Sequence, residues 1–278
     1  MTRILIASDL HLCHINWYGV DSRKRMDYLL ADINAYHREK PIESIVLLGD
    51  YSLDFWEWDI CGCYINEGRS DTEEFVRDFI PRFPAPVHMI PGNHEQYGNA
   101  KWRELTGSDR RQAFVLGGYL FILCDNFSGL LDPTGHSDGV YTNTDLSFIR
   151  EKMDEYPDLP VILGAHFFDT REDMEPEAFY AFLKEEPRIT ALFCGHDHET
   201  WIEDLGERAG GVKIIHDGSY SYTHDTAKSL WGFCEVTLCD SGIEAVYIAP
   251  AHEAEIDGEM RKYPYTELNR IVISRRDR

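Results

Sequence analysis

Five apolar runs in this chain of 278 residues end in the same way, on side chains able to hold a cation. "IASDLH" ends on Asp9 and His11, "LLGD" on Asp50, "MIPGNH" on Asn93 and His94, "ILGAH" on His166, and "ALFCGHDH" on His196 and His198. Short runs rich in Ile, Val, Leu and Phe read as buried strands, predicted here at 3–8, 44–49, 86–90, 113–116, 119–124, 161–165, 190–194, 212–216, 232–238 and 243–249. Helical periodicity fills several gaps. Met26, Leu29, Leu30, Ile33 and Tyr36 share one face of a helix over 22–39 behind a Ser22 cap. Thr144 is placed to cap a helix carrying Leu146, Ile149 and Met153, and Pro176 to open one carrying Phe179, Phe182 and Leu183 before Pro187. Strands alternating with helices predict an α/β architecture. Ligands in open α/β sheets bind beyond the carboxyl ends of the strands, so these five strand ends are expected to converge.

The donors at those ends point to a metal site. Imidazoles, two carboxylates and an amide oxygen are too many for one four-coordinate zinc. They suit two transition metals that share a carboxylate, and such a pair can clamp the oxygens of an in-line displacement at phosphorus. One His-x-His pair is commonly a surface feature. Five such elements, each at a strand end, are not explained that way.

Composition narrows the partners. With 27 basic against 49 acidic side chains the formal charge is −22, which repels polyanions and disfavours a long nucleic acid. Seven cysteines, odd in number and scattered through apolar runs, read as free thiols of a reducing compartment. The N-terminal apolar run before Asp9 is too short for a signal peptide, and no run has the length of a membrane span. The expectation is a cytoplasmic protein with no membrane contact. No repeat or linker divides the chain, so a single domain over 1–278 is expected, with a core of about 1–250 and a C-terminal extension at 251–278. The segments 51–70 and 125–143 read as long loops, which in compact domains are often functional.

Taken in order, "DLH" 9–11, "GDYSL" 49–53, "GNHE" 92–95, "AH" 165–166 and "GHDH" 195–198 resemble the signature of the calcineurin-like metallophosphoesterase superfamily. The resemblance implies a four-layer α/β/β/α sandwich of two mixed sheets flanked by helices. It assigns Asp9, His11 and His198 to one metal, Asn93, His166 and His196 to the other, and Asp50 to both. The cofactors implied are two divalent or trivalent transition-metal ions (Mn, Fe, Zn or Co). His94 would be catalytic, assisting the leaving group without holding metal. The activity implied is hydrolysis of a small phosphate mono- or diester by attack of a metal-bridging hydroxide. The substrate class expected is small and nucleotide-like. A catalytically weak scaffold or a phosphoprotein phosphatase is the alternative.

One position departs from the pattern. The second aspartate of the family's G-D-x-x-D is Leu53 here, and the carboxylate comes one residue later at Asp54. Neighbours on an extended segment point to opposite sides, so Asp54 does not automatically replace it. Substrate contacts are expected from His14, three residues past His11, and from Tyr51, Trp56 and Trp58 in the aromatic segment after Asp50. His216 and His224 are weaker candidates, each more simply read as structural.

Overall fold

Alternation along the first strand sets the layering. In β1 (Thr2–Ala7), Ile4 and Ile6 face one way and Leu5 and Ala7 the other, and all four are buried. A strand buried on both faces has to lie inside a stack of layers. The computed structural model, which describes residues 1–56, 68–127, 139–170, 174–221 and 230–276, has that stack.

The remaining strands of its two six-stranded sheets are β2 (Ser44–Leu47), β3 (Val87–Met89), β4 (Gln112–Leu116), β5 (Tyr119–Leu123), β6 (Val161–Gly164), β7 (Ile189–Cys194), β8 (Thr200–Asp204), β9 (Lys213–Asp217), β10 (Phe233–Cys239), β11 (Gly242–Ala249) and β12 (Thr266–Ser274). The first sheet runs β12-β11-β10-β1-β2-β3 and the second β8-β9-β7-β6-β5-β4. Within the first, β1, β2 and β3 are parallel; within the second, β5, β6, β7 and β9 are. The carboxyl ends that carry the polar motifs thus point the same way within each sheet.

Three apolar layers hold the stack together. Between the sheets, Ile4, Ile6, Val46 and Leu48 meet Phe121, Leu123, Ile162 and Phe193. Outside the first sheet, Leu5, Ala7, Ile45 and Leu47 meet Met26, Leu29 and Ile33 of α1 (Ser22–Glu39). A further helix, α2 (Asn99–Thr106), adds Trp102 to that cluster. Outside the second sheet, Leu120, Ile122, Leu163 and Leu192 meet Ile149 and Met153 of α3 (Leu146–Glu155) and Phe179 and Leu183 of α4 (Glu177–Glu185). The four-layer α/β/β/α order is the one the resemblance implied.

Two helix caps differ from expectation by one residue. Asp21, not Ser22, caps α1, its carboxylate accepting from Arg23 N at 3.0 Å and Lys24 N at 3.1 Å. Asp145, not Thr144, caps α3, accepting from Ser147 N at 3.0 Å and Phe148 N at 3.1 Å. A carboxylate is the stronger acceptor at a helix start, and the hydroxyls bind elsewhere, Ser22 to the Cys13 backbone and Thr144 to Glu175. Beyond residue 250, a hairpin pairs His252–Ile256 with Glu259–Tyr263, and β12 forms an edge of the first sheet. Asn269 of β12 also reaches the second sheet, donating to Thr200 O at 2.7 Å. Among the described residues, no helix is long and apolar enough to cross a membrane.

Candidate metal centre

The loops leaving β1 and β2 are zipped together where the strands stop. Asp9 N donates to Gly49 O at 3.1 Å, Leu10 N to Asp50 O at 2.8 Å and His11 N to Asp50 O at 3.0 Å. The loops after β6 and β7 are tied likewise, Gly195 N donating to His166 O at 2.9 Å. To turn their side chains back toward one another, Asp9, His11, Asp50, His196 and His198 all adopt left-handed backbone, with φ of 54°, 49°, 54°, 68° and 58°. That conformation costs a non-glycine residue about 1–3 kcal/mol and gathers at functional sites. Gly49, at φ +99°, packs against Gly92, and a Cβ on Gly92 would overlap Asp50 Oδ1. The close approach of these two loops therefore excludes any side chain at 92.

The donor atoms form two adjoining groups. In the first, Asp9 Oδ1 lies 3.2 Å from His198 Nε2 and 3.7 Å from His11 Nε2, and His11 Nε2 is 3.7 Å from Asp50 Oδ2. In the second, Asp50 Oδ2 lies 3.1 Å from His166 Nε2, and Asn93 Oδ1 lies 2.8 Å from His166 Nε2 and 3.0 Å from His196 Nδ1. Asp50 Oδ2 belongs to both. All seven side chains expected as ligands are thus brought together. A third grouping, His11, Asp50 and His94, is equally compact, with His94 Nε2 at 3.6 Å from Asp50 Oδ2.

The surroundings of these atoms fit a cation. With its proton on Nδ1, facing Leu48 O at 2.8 Å, a neutral His166 ring would turn a lone pair on Nε2 toward Asp50 Oδ2. Asp9 Oδ1 and Asp50 Oδ2 are buried and accept no hydrogen bond. Acceptor facing acceptor in a buried site needs a proton or a metal between them. Short of a metal, a proton on His166 fills that place. Burial pushes His11 down to about 4, and burial with the charge on His166 pushes His196 to about 4. Against burial, Asp50 holds His166 up at about 10. Asp9 is kept below the usual carboxylate range because His198 outweighs burial, and Asp50 because His166 and His94 do.

A second ring of residues orients the donors. His11 Nδ1 meets Ser221 Oγ at 2.8 Å. Asp9 Oδ2 accepts from Ser8 Oγ and from His196 N at 2.9 Å, and Ser8 Oγ also contacts Asp217 Oδ1 at 2.7 Å. Burial and the neighbouring Asp9 charge push Asp217 well above the usual range. Arg25, fully buried on α1, donates to Leu10 O at 3.0 Å and His11 O at 2.8 Å.

Glu95 is the buckle between two motifs: its carboxylate accepts from Asp50 N at 2.9 Å, Ser52 N at 3.0 Å and Gly92 N at 2.8 Å. Burial and Asp50 raise its pKa to about 8. Replacing Glu95 by alanine leaves three buried donors without this acceptor, at about 1–3 kcal/mol each. Thermal unfolding of Glu95→Ala is expected to show a lowered Tm together with weakened metal retention; an unchanged Tm would refute the buckle.

His94 sits at the edge of the cluster. Its backbone N donates to Asp50 Oδ1 at 3.0 Å, and its ring lies edge-on to Trp56, 6.4 Å between centroids. Asp54 is turned to the helical segment that follows. It accepts from Asp71 N at 2.7 Å, Thr72 N at 3.1 Å and Ser70 Oγ at 3.2 Å, and from the Tyr97 hydroxyl. Leu53 is buried with Cys13, against Ile15, Trp17 and Trp56. The family's second carboxylate is thus replaced by an apolar packet.

The expected substrate contacts divide. Trp56 is half-buried beside His94 and packs edge-on to Trp17 at 4.8 Å. Tyr51 is instead a core residue: it is fully buried, stacks on Phe75 at 5.2 Å, and its hydroxyl donates to Leu47 O and Ile90 O. Its ring joins the apolar layer outside the first sheet, with Leu47 and Phe75. His14 is half-buried and outside the donor groups, its Nδ1 without a hydrogen-bond partner among the described residues. Trp58 and His224 lie outside the described residues. His216 stands outside the donor groups found among the described residues. It stacks on Trp201 at 4.1 Å and pairs with Asp197 at 3.2 Å. Burial opposes a charge there, but Cys194, Asp197 and Glu203 raise its pKa to about 11.

Two aromatic neighbours had no sequence signal. Phe167 lies 4.5 Å and Phe127 5.9 Å from the His196 ring. A groove of about 990 Å³, lined by Arg103, Arg111, Phe114 and Lys152, contains none of the ligand residues. Donor chemistry, not size, marks the site.

Three comparisons bear on identity. The model of the calcineurin-like phosphoesterase family matches residues 2–200. The glycerophosphodiester phosphodiesterase GpdQ of Enterobacter lignolyticus (strain SCF1) is 22% identical over 212 residues, which span 67% of this chain and 70% of that protein. Among solved structures, GAP50, the anchor in the inner membrane complex of Plasmodium, is similar at a TM-score of 0.53 with 13% identity, over 89% of this chain and 84% of that one. Purple acid phosphatase PPD1 from yellow lupin (Lupinus luteus) seeds gives a TM-score of 0.48 with 14% identity, over 96% of this chain and 53% of that one. The family match covers every ligand motif assembled above, and the chain belongs to the calcineurin-like phosphoesterase family.

Proposed function

We propose that the protein is a two-metal phosphodiesterase acting on small phosphate diesters, on the observation that two donor groups share Asp50 Oδ2 beside His94. Asp9, His11, His198 and Asp50 would hold one ion, and Asp50, Asn93, His166 and His196 the other. Bound metals of this kind polarise the phosphoryl group and supply hydroxide at neutral pH.

The chain's own residues do the rest. His94, held by its backbone bond to Asp50 Oδ1, offers Nε2 to the departing ester oxygen as hydrogen-bond donor and proton source. The carboxylate that the family pattern places at 53 is replaced by the buried Leu53, which favours substrates whose leaving groups need little proton assistance. Trp56 and Trp17 form an apolar wall beside His94, while Phe127 and Phe167 flank His196. Two walls suit an ester with organic groups on both sides of phosphorus.

Charge supports the same choice. The ligand set contains no lysine or arginine, and the buried Arg25 and Arg110 donate to backbone carbonyls. A diester carries one negative charge at neutral pH and a monoester close to two, so a donor cluster without lysine or arginine among the described residues favours the diester. The similarity to GpdQ points to the same substrate class. GAP50 is named an anchor and shares the fold alone, which would suit a scaffold; the complete donor set here favours catalysis.

The test is turnover by manganese-, zinc- or cobalt-loaded protein of bis(p-nitrophenyl) phosphate against p-nitrophenyl phosphate. Faster diester hydrolysis, abolished by EDTA, is expected; metal-loaded protein inert toward both esters would overturn the proposal. Trp56→Ala is expected to raise KM for an aromatic diester by about 5- to 100-fold, the worth of one stacking contact. It should spare a small alkyl ester. A uniform loss for both esters with a lowered Tm would make Trp56 a packing residue.

A further inference from the structure

The loop "GHDH" places Asp197 between two ligands that both sit in left-handed backbone, His196 at φ 68° and His198 at φ 58°. Such a loop springs back unless something outside it holds the turn. The Asp197 side chain points away from the donor cluster, toward the second sheet, where Oδ2 lies 3.2 Å from His216 Nδ1. His216 is nearly inaccessible to solvent at 1% exposure, and its ring is fixed by stacking on Trp201. The other ring nitrogen, Nε2, lies 3.5 Å from Glu203 Oε2. Glu203 in turn accepts from Thr170 Oγ1 at 2.7 Å, and Thr170 belongs to the loop that carries His166. One buried imidazole thus joins the His196–His198 loop to the His166 loop, through a carboxylate on each side.

We propose that His216 and Asp197 are positioning residues that set the strained turn presenting His196 to one metal and His198 to the other. The inference rests on the two-metal reading of the donor cluster. An aliphatic side chain at 216 would leave Asp197 Oδ2 without the imidazole it faces at 3.2 Å, and the turn would relax toward ordinary backbone. Because one ligand for each ion sits on this turn, both affinities would fall together. Partners behind metal ligands are typically worth 10- to 100-fold in metal affinity.

A double-mutant cycle on the full chain tests this. Metal-free protein is titrated calorimetrically with manganese and with zinc for the wild type, His216→Leu, Asp197→Ala and the double variant, with Tm measured on each metal-free form. His216→Gln and Asp197→Asn, which preserve volume, repeat the cycle should the first set fail to fold. The expected result is a 10- to 100-fold weakening in each single variant, and a double variant within about threefold of the weaker single. Equal losses at both metal sites are expected from each variant. Two outcomes overturn the proposal: wild-type affinity in folded single variants, or a double variant whose loss is the product of the two. A lowered Tm with unchanged affinity would give the pair a stabilising role only. A wild type that binds no metal would overturn the two-metal reading, and this proposal with it, whereas the outcomes above overturn the proposal alone.

Discussion

Asp50→Asn is expected to strip metal from both halves of the site at once. Oδ2 of Asp50 lies 3.1 Å from His166 Nε2 in one donor group and 3.7 Å from His11 Nε2 in the other. Asparagine keeps the shape and the Oδ1 contact with His94 N, but removes the charge that both ions would share. Elemental analysis should show less than one metal per chain, against two in the wild type. Losing a Lewis acid worth several kcal/mol should slow hydrolysis by about 10²–10⁴-fold. By contrast, His11→Ala removes a donor from one group, so a partial metal loss is expected. Full retention of both metals in Asp50→Asn would show that this carboxylate is not shared.

His94→Ala is expected to keep both metals and lose turnover. The third compact grouping, His11, Asp50 and His94, makes this a discriminating change. If His94 serves only the leaving group, metal content stays at the wild-type level while kcat falls by about 10²–10⁴-fold, the range for a positioned acid. The fall should be smaller for nitrophenyl esters than for alkyl esters, because nitrophenolate departs without a proton. Metal loss in His94→Ala would make His94 a ligand instead.

What the sequence made legible follows from locality. Ligands lie within a few residues of strand ends that are themselves short apolar runs, so Asp9, Asp50, Asn93, His166 and His196 could be placed from pattern alone, and the resemblance supplied the division into two groups. The layering was legible for the same reason: Ile4 and Ile6 alternate with Leu5 and Ala7, and a strand apolar on both faces belongs inside a stack. The partners that orient the donors were not legible. Ser221 meets His11 and Asp217 meets Ser8 across more than 200 residues of chain, and no spacing rule spans that distance. Glu95 stood inside a quoted motif, yet its role depends on three backbone N–H groups that converge only after folding. Tyr51 adjoins Asp50 in sequence, yet its ring enters the apolar layer outside the first sheet against Phe75, a partner 24 residues further on that proximity to a ligand does not reveal. Leu53 was recognised as a departure, and its burial with Cys13 explains how the position tolerates an apolar residue.

The most direct measurement is an anomalous difference map from crystals of the protein grown or soaked with manganese. The account predicts two peaks on either side of Asp50 Oδ2, one contacted by Asp9, His11 and His198 and the other by Asn93, His166 and His196. A single peak, or a peak held by His94 Nε2 in place of one of these ligands, would contradict it.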